Sequence, residues 1–121
     1  MRRTHLFVET AATPDQRARG LMFRRRLPWD RGILFVFPMP QTGPFWNANT
    51  MIPLDVAFYD RDRKLVDVLP LRSIRETSGQ VESTPRPSAP YRFVLETNRG
   101  WFAAHGLKRG DPLPRLTVLG S

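Results

Sequence analysis

The chain has 121 residues, a mass of 14.0 kDa and 40% hydrophobic residues, which predicts one domain over residues 1–121. It contains no cysteine, so disulfides, thiol catalysis and thiolate metal sites are excluded, and it lacks an apolar run long enough to span a membrane. The formal net charge is +8, and residues 1–31 contribute eight Arg against three acidic residues, a basic stretch that would attract phosphate or acidic polymers if the fold gathers it.

The sequence leaves two alternatives for the cellular location of the protein. The apolar stretch Leu6-Phe7-Val8, which follows Arg2 and Arg3, is too short to be the core of a signal peptide. A chain without thiols is also indifferent to the redox state of its surroundings. We therefore expect either a cytoplasmic protein or the mature form of an exported one whose leader has been removed.

The first predicted elements are a strand and a short helix. Alternating apolar and polar residues indicate a strand over residues 4–10. Thr13, Pro14 and Gln16 have the arrangement of a helix start, because Thr13 can cap, Pro14 suits the first helical position and Gln16 completes a capping box. We expect this helix to end near Gly20 or Leu21.

The middle of the chain predicts a buried strand followed by a hairpin. Five consecutive apolar residues, 33–37, favour a strand buried on both faces, and they follow a basic loop over residues 24–32. Three prolines and a glycine over residues 38–44 predict a rigid loop. Residues 54–59 and 65–69 then flank a charged turn, which indicates two antiparallel strands.

The last third of the chain begins with the polar segment 71–90, for which we expect either a functional flap or a mobile loop. Residues 91–97 predict a strand, Asn98 could cap a short helix that ends at Gly106, and residues 115–119 predict a final strand. These elements together predict a mainly β fold, a small antiparallel β sandwich or jelly-roll-like barrel with one or two short helices.

A series of short motifs runs along the chain in a characteristic order. They are Gly-Leu-Met-Phe-Arg at 20–24, Leu-Pro at 27–28, Gly-Ile-Leu-Phe-Val-Phe at 32–37, Phe-Trp at 45–46, Asn-Thr-Met-Ile-Pro-Leu-Asp at 49–55, Tyr91, Val-Leu-Glu at 94–96, Asn98, Gly-Trp-Phe at 100–102, Gly106 and Gly-Asp at 110–111. From about Phe7 to about Leu116 the chain resembles the bacterial and archaeal family called domain of unknown function 192. The resemblance implies a jelly-roll-like β sandwich and no assigned activity.

The chain departs from the family pattern at two positions. Relatives usually carry Met and then Lys or Arg between the Phe-Trp and Asn-Thr pairs, whereas this chain has Asn47 and Ala48. If the missing cation binds something in relatives, this protein is expected to bind it weakly or to bind something else.

Asp55 is the first candidate site residue. On a strand it shares a face with Ala57 and Tyr59, and if that face is buried the carboxylate needs polar partners such as Asn49 or Thr50. One interpretation is a structural carboxylate that ties a loop to the sheet. The other is a ligand contact or a general base.

Glu96, like Asp55, has a structural and a functional interpretation. It is either a salt-bridged structural group or the partner of Asp55 in a carboxylate pair of the kind that hydrolyses glycosides. Trp46 and Trp101 could stack on a sugar or a base, or they could belong to the core. Arg24 could contact an anion. Two isolated histidines without cysteine make a zinc site unfavourable, so we expect no metal or other cofactor.

Three functions compete at this stage, and the oligomeric state stays open. The first is a non-catalytic module that binds a small polar or carbohydrate-like ligand through Arg24, Trp46, Asn49, Thr50, Asp55 and Glu96. The second is an enzyme acting on glycans, with Asp55 and Glu96 as acid and base. The third is electrostatic binding of nucleic acid through the Arg-rich N-terminal third.

Overall fold

The computed structural model describes residues 4–82 and 85–120, which form a six-stranded sheet and two short helices. In chain order the elements are β1 (His5–Ala11), α1 (Pro14–Arg19), β2 (Arg31–Gln41), β3 (Leu54–Tyr59), β4 (Leu65–Leu71), β5 (Tyr91–Asn98), α2 (Trp101–Ala104) and β6 (Arg115–Val118). The predicted mainly β class with short helices is confirmed. No helix among these residues has the length and hydrophobicity needed to cross a membrane.

The strands follow the order β4-β3-β5-β2-β1-β6. β1 pairs in parallel with both β2 and β6, while the remaining neighbours are antiparallel. The sheet is therefore mixed, and it is not closed into a barrel, which corrects the all-antiparallel and barrel-like details of the expectation. Parallel neighbours need a crossover connection, and α1 with its following loop provides one between β1 and β2.

Both faces of the sheet are covered by apolar side chains. One cluster, on what we call the α1 face, comprises Ala11, Leu21, Leu27, Ile33, Phe35, Leu54, Val56, Phe58, Val66, Leu71, Tyr91 and Val94. The other, on the α2 face, comprises Leu6, Val8, Ala57, Tyr59, Leu65, Leu95, Trp101 and Phe102. All six residues of β3 are buried, because this strand has neighbours on both sides and a cluster on each face.

The loop predicted at residues 38–44 is partly wrong, because β2 continues through Pro38 and Pro40 to Gln41. The pairing of β2 with β5 is irregular between Val36 and Gln41. Proline has no N–H to donate to a neighbouring strand, so it is tolerated where the ladder is interrupted.

The two helices differ in how well their starts could be predicted. The capping box of α1 is confirmed, since the Thr13 hydroxyl accepts from the Gln16 amide at 3.1 Å and the Gln16 side chain accepts from the Thr13 amide at 3.2 Å. Asn98 does not cap α2: it ends β5, and its side chain donates to two carbonyls of the loop before β2. The residue that precedes α2 is Gly100, at a left-handed φ of 89°.

Candidate functional site

A cavity of about 230 Å³ lies on the α1 face, between the end of α1, the outer part of β2 and the segment 44–50. An apolar cavity of about 150 Å³ already accommodates benzene, so this one is large enough for a small organic molecule. Its walls are formed by Arg17, Ala18, Arg19, Gly20, Leu21, Met22, Phe35, Phe37, Pro44, Phe45, Trp46, Ala48, Thr50, Leu54, Leu71, Tyr91 and Glu96. Most of these side chains are apolar, and five of them are aromatic.

The aromatic rings of the wall pack mainly edge to face. The ring centroids of Phe35 and Phe45 are 5.3 Å apart, and those of Phe37 and Tyr91 are 5.5 Å apart. Such contacts fix the ring orientations. Trp46 differs from the others because 63% of its surface is exposed, so its indole lies at the mouth of the cavity.

Among the residues that the structure describes, Glu96 is the one carboxylate in the cavity wall. It pairs across the sheet with Val56, a residue of the α1 face, and only 4% of its surface is exposed. No residue in the ranges 4–82 and 85–120 offers its carboxyl a hydrogen bond or an ion pair. The carboxyl oxygens are not among the side-chain atoms sealed from solvent without a partner, so they face the cavity. Burial raises the pKa of Glu96 to about 8.

Gly20 lets the end of α1 come close to this carboxyl. A Cβ atom at this position would lie 3.1 Å from Cζ of Phe35 and 3.7 Å from Oε1 of Glu96, and the residue has a φ of 46°. A side chain would therefore be strained and would take up space beside the carboxyl. The residue that ends the helix also shapes the floor of the cavity.

Asn47 fixes the segment that carries Trp46, and its role could not be read from the sequence. The side chain is fully buried; its Oδ1 accepts from the backbone amide of Glu82 at 2.7 Å, while Nδ2 donates to the Thr77 hydroxyl at 3.3 Å and to the Gln80 carbonyl at 3.4 Å. A buried amide with these partners ties the polar segment after β4 to the cavity wall.

Asn47→Ala is expected to lower the free energy of unfolding by about 2 kcal/mol, because it removes the three hydrogen bonds of a fully buried amide. The matched control is Asn49→Gly, which removes an exposed amide at a φ of 55° that glycine adopts freely. Urea unfolding of both variants gives the comparison. Equal losses in the two variants would contradict the anchoring role of Asn47.

Asp55 lies on the other face of the sheet. Its Oδ2 accepts from the amide of Gly100 at 2.8 Å, and its Oδ1 lies 3.6 Å from Nε of Arg99. The carboxylate thus ties β3 to the start of α2, which is the structural alternative. The cross-strand partner of Asp55 is Thr97, one residue beyond Glu96, and neighbouring residues of a strand point to opposite faces. Asp55 and Glu96 therefore do not form a carboxylate pair.

The remaining predicted site residues are divided between the cavity and other parts of the surface. The structure brings Trp46, Thr50 and Glu96 together in one cavity wall. Asn49 is exposed and lies outside that wall, and Arg24 binds Glu9 of β1, a hydrogen bond that raises the pKa of Arg24. Trp101, the second candidate for stacking, is a core residue.

The polar segment after β4 is hydrogen-bonded to the rest of the protein in the part that the structure describes. Ser73 and Glu76 cap one another, and the amide of Ile74 donates to the Thr50 carbonyl at 2.8 Å. Further along, the amide and hydroxyl of Ser88 donate to an Asp67 carboxylate oxygen. These contacts make the segment an outer support of the cavity wall.

Two arginines of the Arg-rich N-terminal third are engaged in contacts within the protein. Arg17 donates to two backbone carbonyls and Arg24 binds Glu9, while Arg2 and Arg3 lie outside the described residues. Binding of nucleic acid stays a prediction that these contacts do not support. Within 4–82 and 85–120, no group of three or more His, Asp or Glu is placed to hold a metal ion.

An open mixed sheet with an aromatic cavity and a buried acid in the cavity wall defines a small β protein with a ligand-sized pocket. The chain belongs to the family domain of unknown function 192, described as uncharacterised, whose pattern matches residues 1–114. The resemblance predicted from the sequence is thereby confirmed. Among curated proteins, none matches the chain significantly.

Two solved structures share the fold. One is a protein of unknown function from Novosphingobium aromaticivorans DSM 12444, with 36% identity and a TM-score of 0.76 over 87% of this chain and 71% of that one. The other, from Sinorhizobium meliloti 1021, is described as a candidate transcription regulator, with 33% identity and a TM-score of 0.74 over 87% of this chain and 78% of its own. Neither description assigns a ligand.

Proposed function

We propose that the protein is a non-catalytic binding module that takes a small ligand into the aromatic cavity, with a polar group of the ligand against Glu96. The observation that carries the proposal is the carboxyl of Glu96, which is buried, faces the cavity and has no partner among the described residues. Buried polar groups are ordinarily hydrogen-bonded, so a ligand is the natural source of the missing partner.

The cavity walls support binding better than catalysis. Acid–base hydrolysis of glycosides needs two carboxyl groups that face one reacting bond, and Asp55 lies across the sheet from Glu96. The polar groups that do share the wall with Glu96 are the Thr50 hydroxyl, the Tyr91 hydroxyl and the guanidinium groups of Arg17 and Arg19. They can orient a ligand and provide hydrogen bonds.

Trp46 and Thr50 give the ligand its remaining contacts. The indole of Trp46, which is largely exposed at the mouth of the cavity, offers a flat apolar face. The hydroxyl of the buried Thr50 offers both a donor and an acceptor. An apolar pocket with a few convergent polar groups is the usual form of a small-molecule site. A volume of about 230 Å³ limits the part of the ligand that enters to a small group.

Filling the cavity tests the proposal. Ala48 lies in the wall, so Ala48→Phe would occupy ligand space, whereas Ala104→Phe places the same side chain at an exposed position of α2. In a thermal-shift panel of small polar molecules, ligands are expected to raise the Tm of the wild type and of Ala104→Phe but not of Ala48→Phe. Shifts that persist in Ala48→Phe would place binding elsewhere and contradict the proposal.

A further inference from the structure

We infer that the ligand presents a small organic ammonium group, which the cavity holds between the Glu96 carboxylate and the surrounding aromatic rings. This inference rests on the proposed function and adds the chemical class of the ligand. It goes beyond binding in general, because it predicts that the cavity selects a cationic ligand over an uncharged sugar or an anion.

The carboxyl of Glu96 favours a cation over other ligands. An ionised carboxylate in an apolar wall is costly unless a charge or several donors compensate it, and no described residue forms an ion pair or a hydrogen bond with Glu96. An ammonium group supplies the opposite charge. An anion would hold the proton on Glu96 and gain no ion pair from it, and a neutral hydroxyl would compensate the charge of the ionised form only in part.

The aromatic rings favour a cation for an independent reason. Ring faces carry negative electrostatic potential, and several rings around a desolvated cation can add about 2 kcal/mol or more. The wall contains Phe35, Phe37, Phe45, Trp46 and Tyr91. One of these rings already stabilises a positive charge, because the guanidinium carbon of Arg17 lies 5.1 Å from the centroid of Phe37.

The scarcity of oxygen atoms selects an organic cation over a metal ion. Calcium takes six or more oxygen ligands, and magnesium needs a nearly ideal octahedron. The carboxylate of Glu96 and the hydroxyls of Thr50 and Tyr91 are too few, and the Tyr91 hydroxyl already donates to the Gly43 carbonyl at 2.9 Å. An alkylated ammonium needs few hydrogen bonds and gains from apolar walls.

Other charged and titratable groups also face the cavity from the elements packed around it. α1 contributes Arg17, which is held by two backbone carbonyls, and Arg19, for which no partner is found among residues 4–82 and 85–120. β5 contributes the Tyr91 hydroxyl, while β2, β3, β4 and the segment 44–50 contribute no further ionisable side chain. The positive charges of the two arginines repel a bound cation. Added salt screens exposed charges most and therefore weakens this repulsion, so it should not weaken binding.

The protonation of Glu96 gives the inference a signature in pH. Its carboxyl, with a pKa of about 8, holds a proton at neutral pH in the free protein, and a bound cation favours the ionised form. Binding therefore releases a proton. Below the pKa, each increase of one pH unit is expected to raise the affinity roughly tenfold. Above the pKa, the affinity is expected to level off.

Calorimetric titration with choline and with dimethylbutanol, its uncharged carbon isostere, tests the inference directly. The proteins are the wild type, Glu96→Gln, which removes the ionisable carboxyl from the cavity, and Asp62→Asn, which makes the same acid-to-amide change in an exposed turn. Choline is expected to bind the wild type and Asp62→Asn at least tenfold more tightly than it binds Glu96→Gln. Near neutral pH, the heat should depend on the ionisation enthalpy of the buffer, because a proton is released.

The outcomes separate this inference from the proposed function. If dimethylbutanol binds the wild type as tightly as choline, or if Glu96→Gln retains choline affinity, the cavity is a ligand site but the ligand is not selected by charge. A further outcome is that neither probe binds, but another compound raises the Tm of the wild type and not that of Ala48→Phe. In that case too, the cavity is a ligand site but the ligand is not selected by charge. If no compound shows that behaviour and neither probe binds, both proposals fail.

Discussion

Raising the pH from 4.5 to 8 is expected to lower the free energy of unfolding by about 4 to 5 kcal/mol, through the buried and unpaired carboxyl of Glu96. The unfolded chain loses this proton near the ordinary pKa of 4.5, whereas burial keeps the proton on the folded protein until about pH 8. Throughout that interval the folded state binds more protons than the unfolded state, so stability falls as the pH rises. Above the interval both states are ionised and the fall ends.

Glu96→Gln is expected to remove most of this pH dependence, because an amide does not titrate in this range. Asp62→Asn, which makes the same acid-to-amide change at an exposed position, should retain it. The Glu76 carboxylate does not obscure the result: hydrogen bonding to Arg99 lowers its pKa, so its contribution is lost only at more acid pH. Urea unfolding at several pH values measures the slope, and an unchanged slope in Glu96→Gln would contradict the assignment.

Gly32→Ala is expected to lower the free energy of unfolding by about 3 kcal/mol, the second large effect. A Cβ atom at this position would lie 2.4 Å from the backbone carbonyl oxygen of Glu96. Backbone on the neighbouring strand cannot move away as a flexible side chain can, so relief requires that β2 and β5 separate locally. The same displacement would disturb the position of the Glu96 side chain.

Gly43→Ala is the matched control for this substitution, because a Cβ atom at that position would meet nothing within 4 Å. Its free energy of unfolding should be nearly unchanged or slightly higher, since alanine restricts the unfolded chain more than glycine does. Thermal or urea unfolding of the two variants gives the difference. Similar stabilities for Gly32→Ala and the wild type would mean that the two strands are not in such close contact.

Local patterns in the sequence were sufficient to predict most elements of the fold. The capping box at Thr13 and Gln16 and the strands on either side of the charged turn depend on neighbouring residues alone, and both are present. The direction of strand pairing depends on distant residues, so the parallel placement of β1 beside β2 and β6 was not predicted. The continuation of β2 through Pro38 was missed because proline is ordinarily a sign of a loop.

The candidate site was predictable only in part for a related reason. Alternation within a strand shows which residues share its faces, but the register between strands decides whether Asp55 and Glu96 face the same way. The register places Asp55 against Gly100 on the α2 face and leaves Glu96 in the cavity. The cavity floor also depends on how closely Gly20 approaches Glu96, a contact between distant parts of the chain.

The most direct test of the account is a titration of the Glu96 carboxyl itself, followed by carbon NMR of protein labelled at glutamate side chains. Glu96→Gln identifies the resonance, because it is the one that disappears. The buried and unpartnered carboxyl of Glu96 is expected to titrate with a pKa near 8. This pKa is expected to fall when choline is added. Titration near 4.5, as for an exposed glutamate, would contradict the buried placement of this carboxyl in the cavity wall.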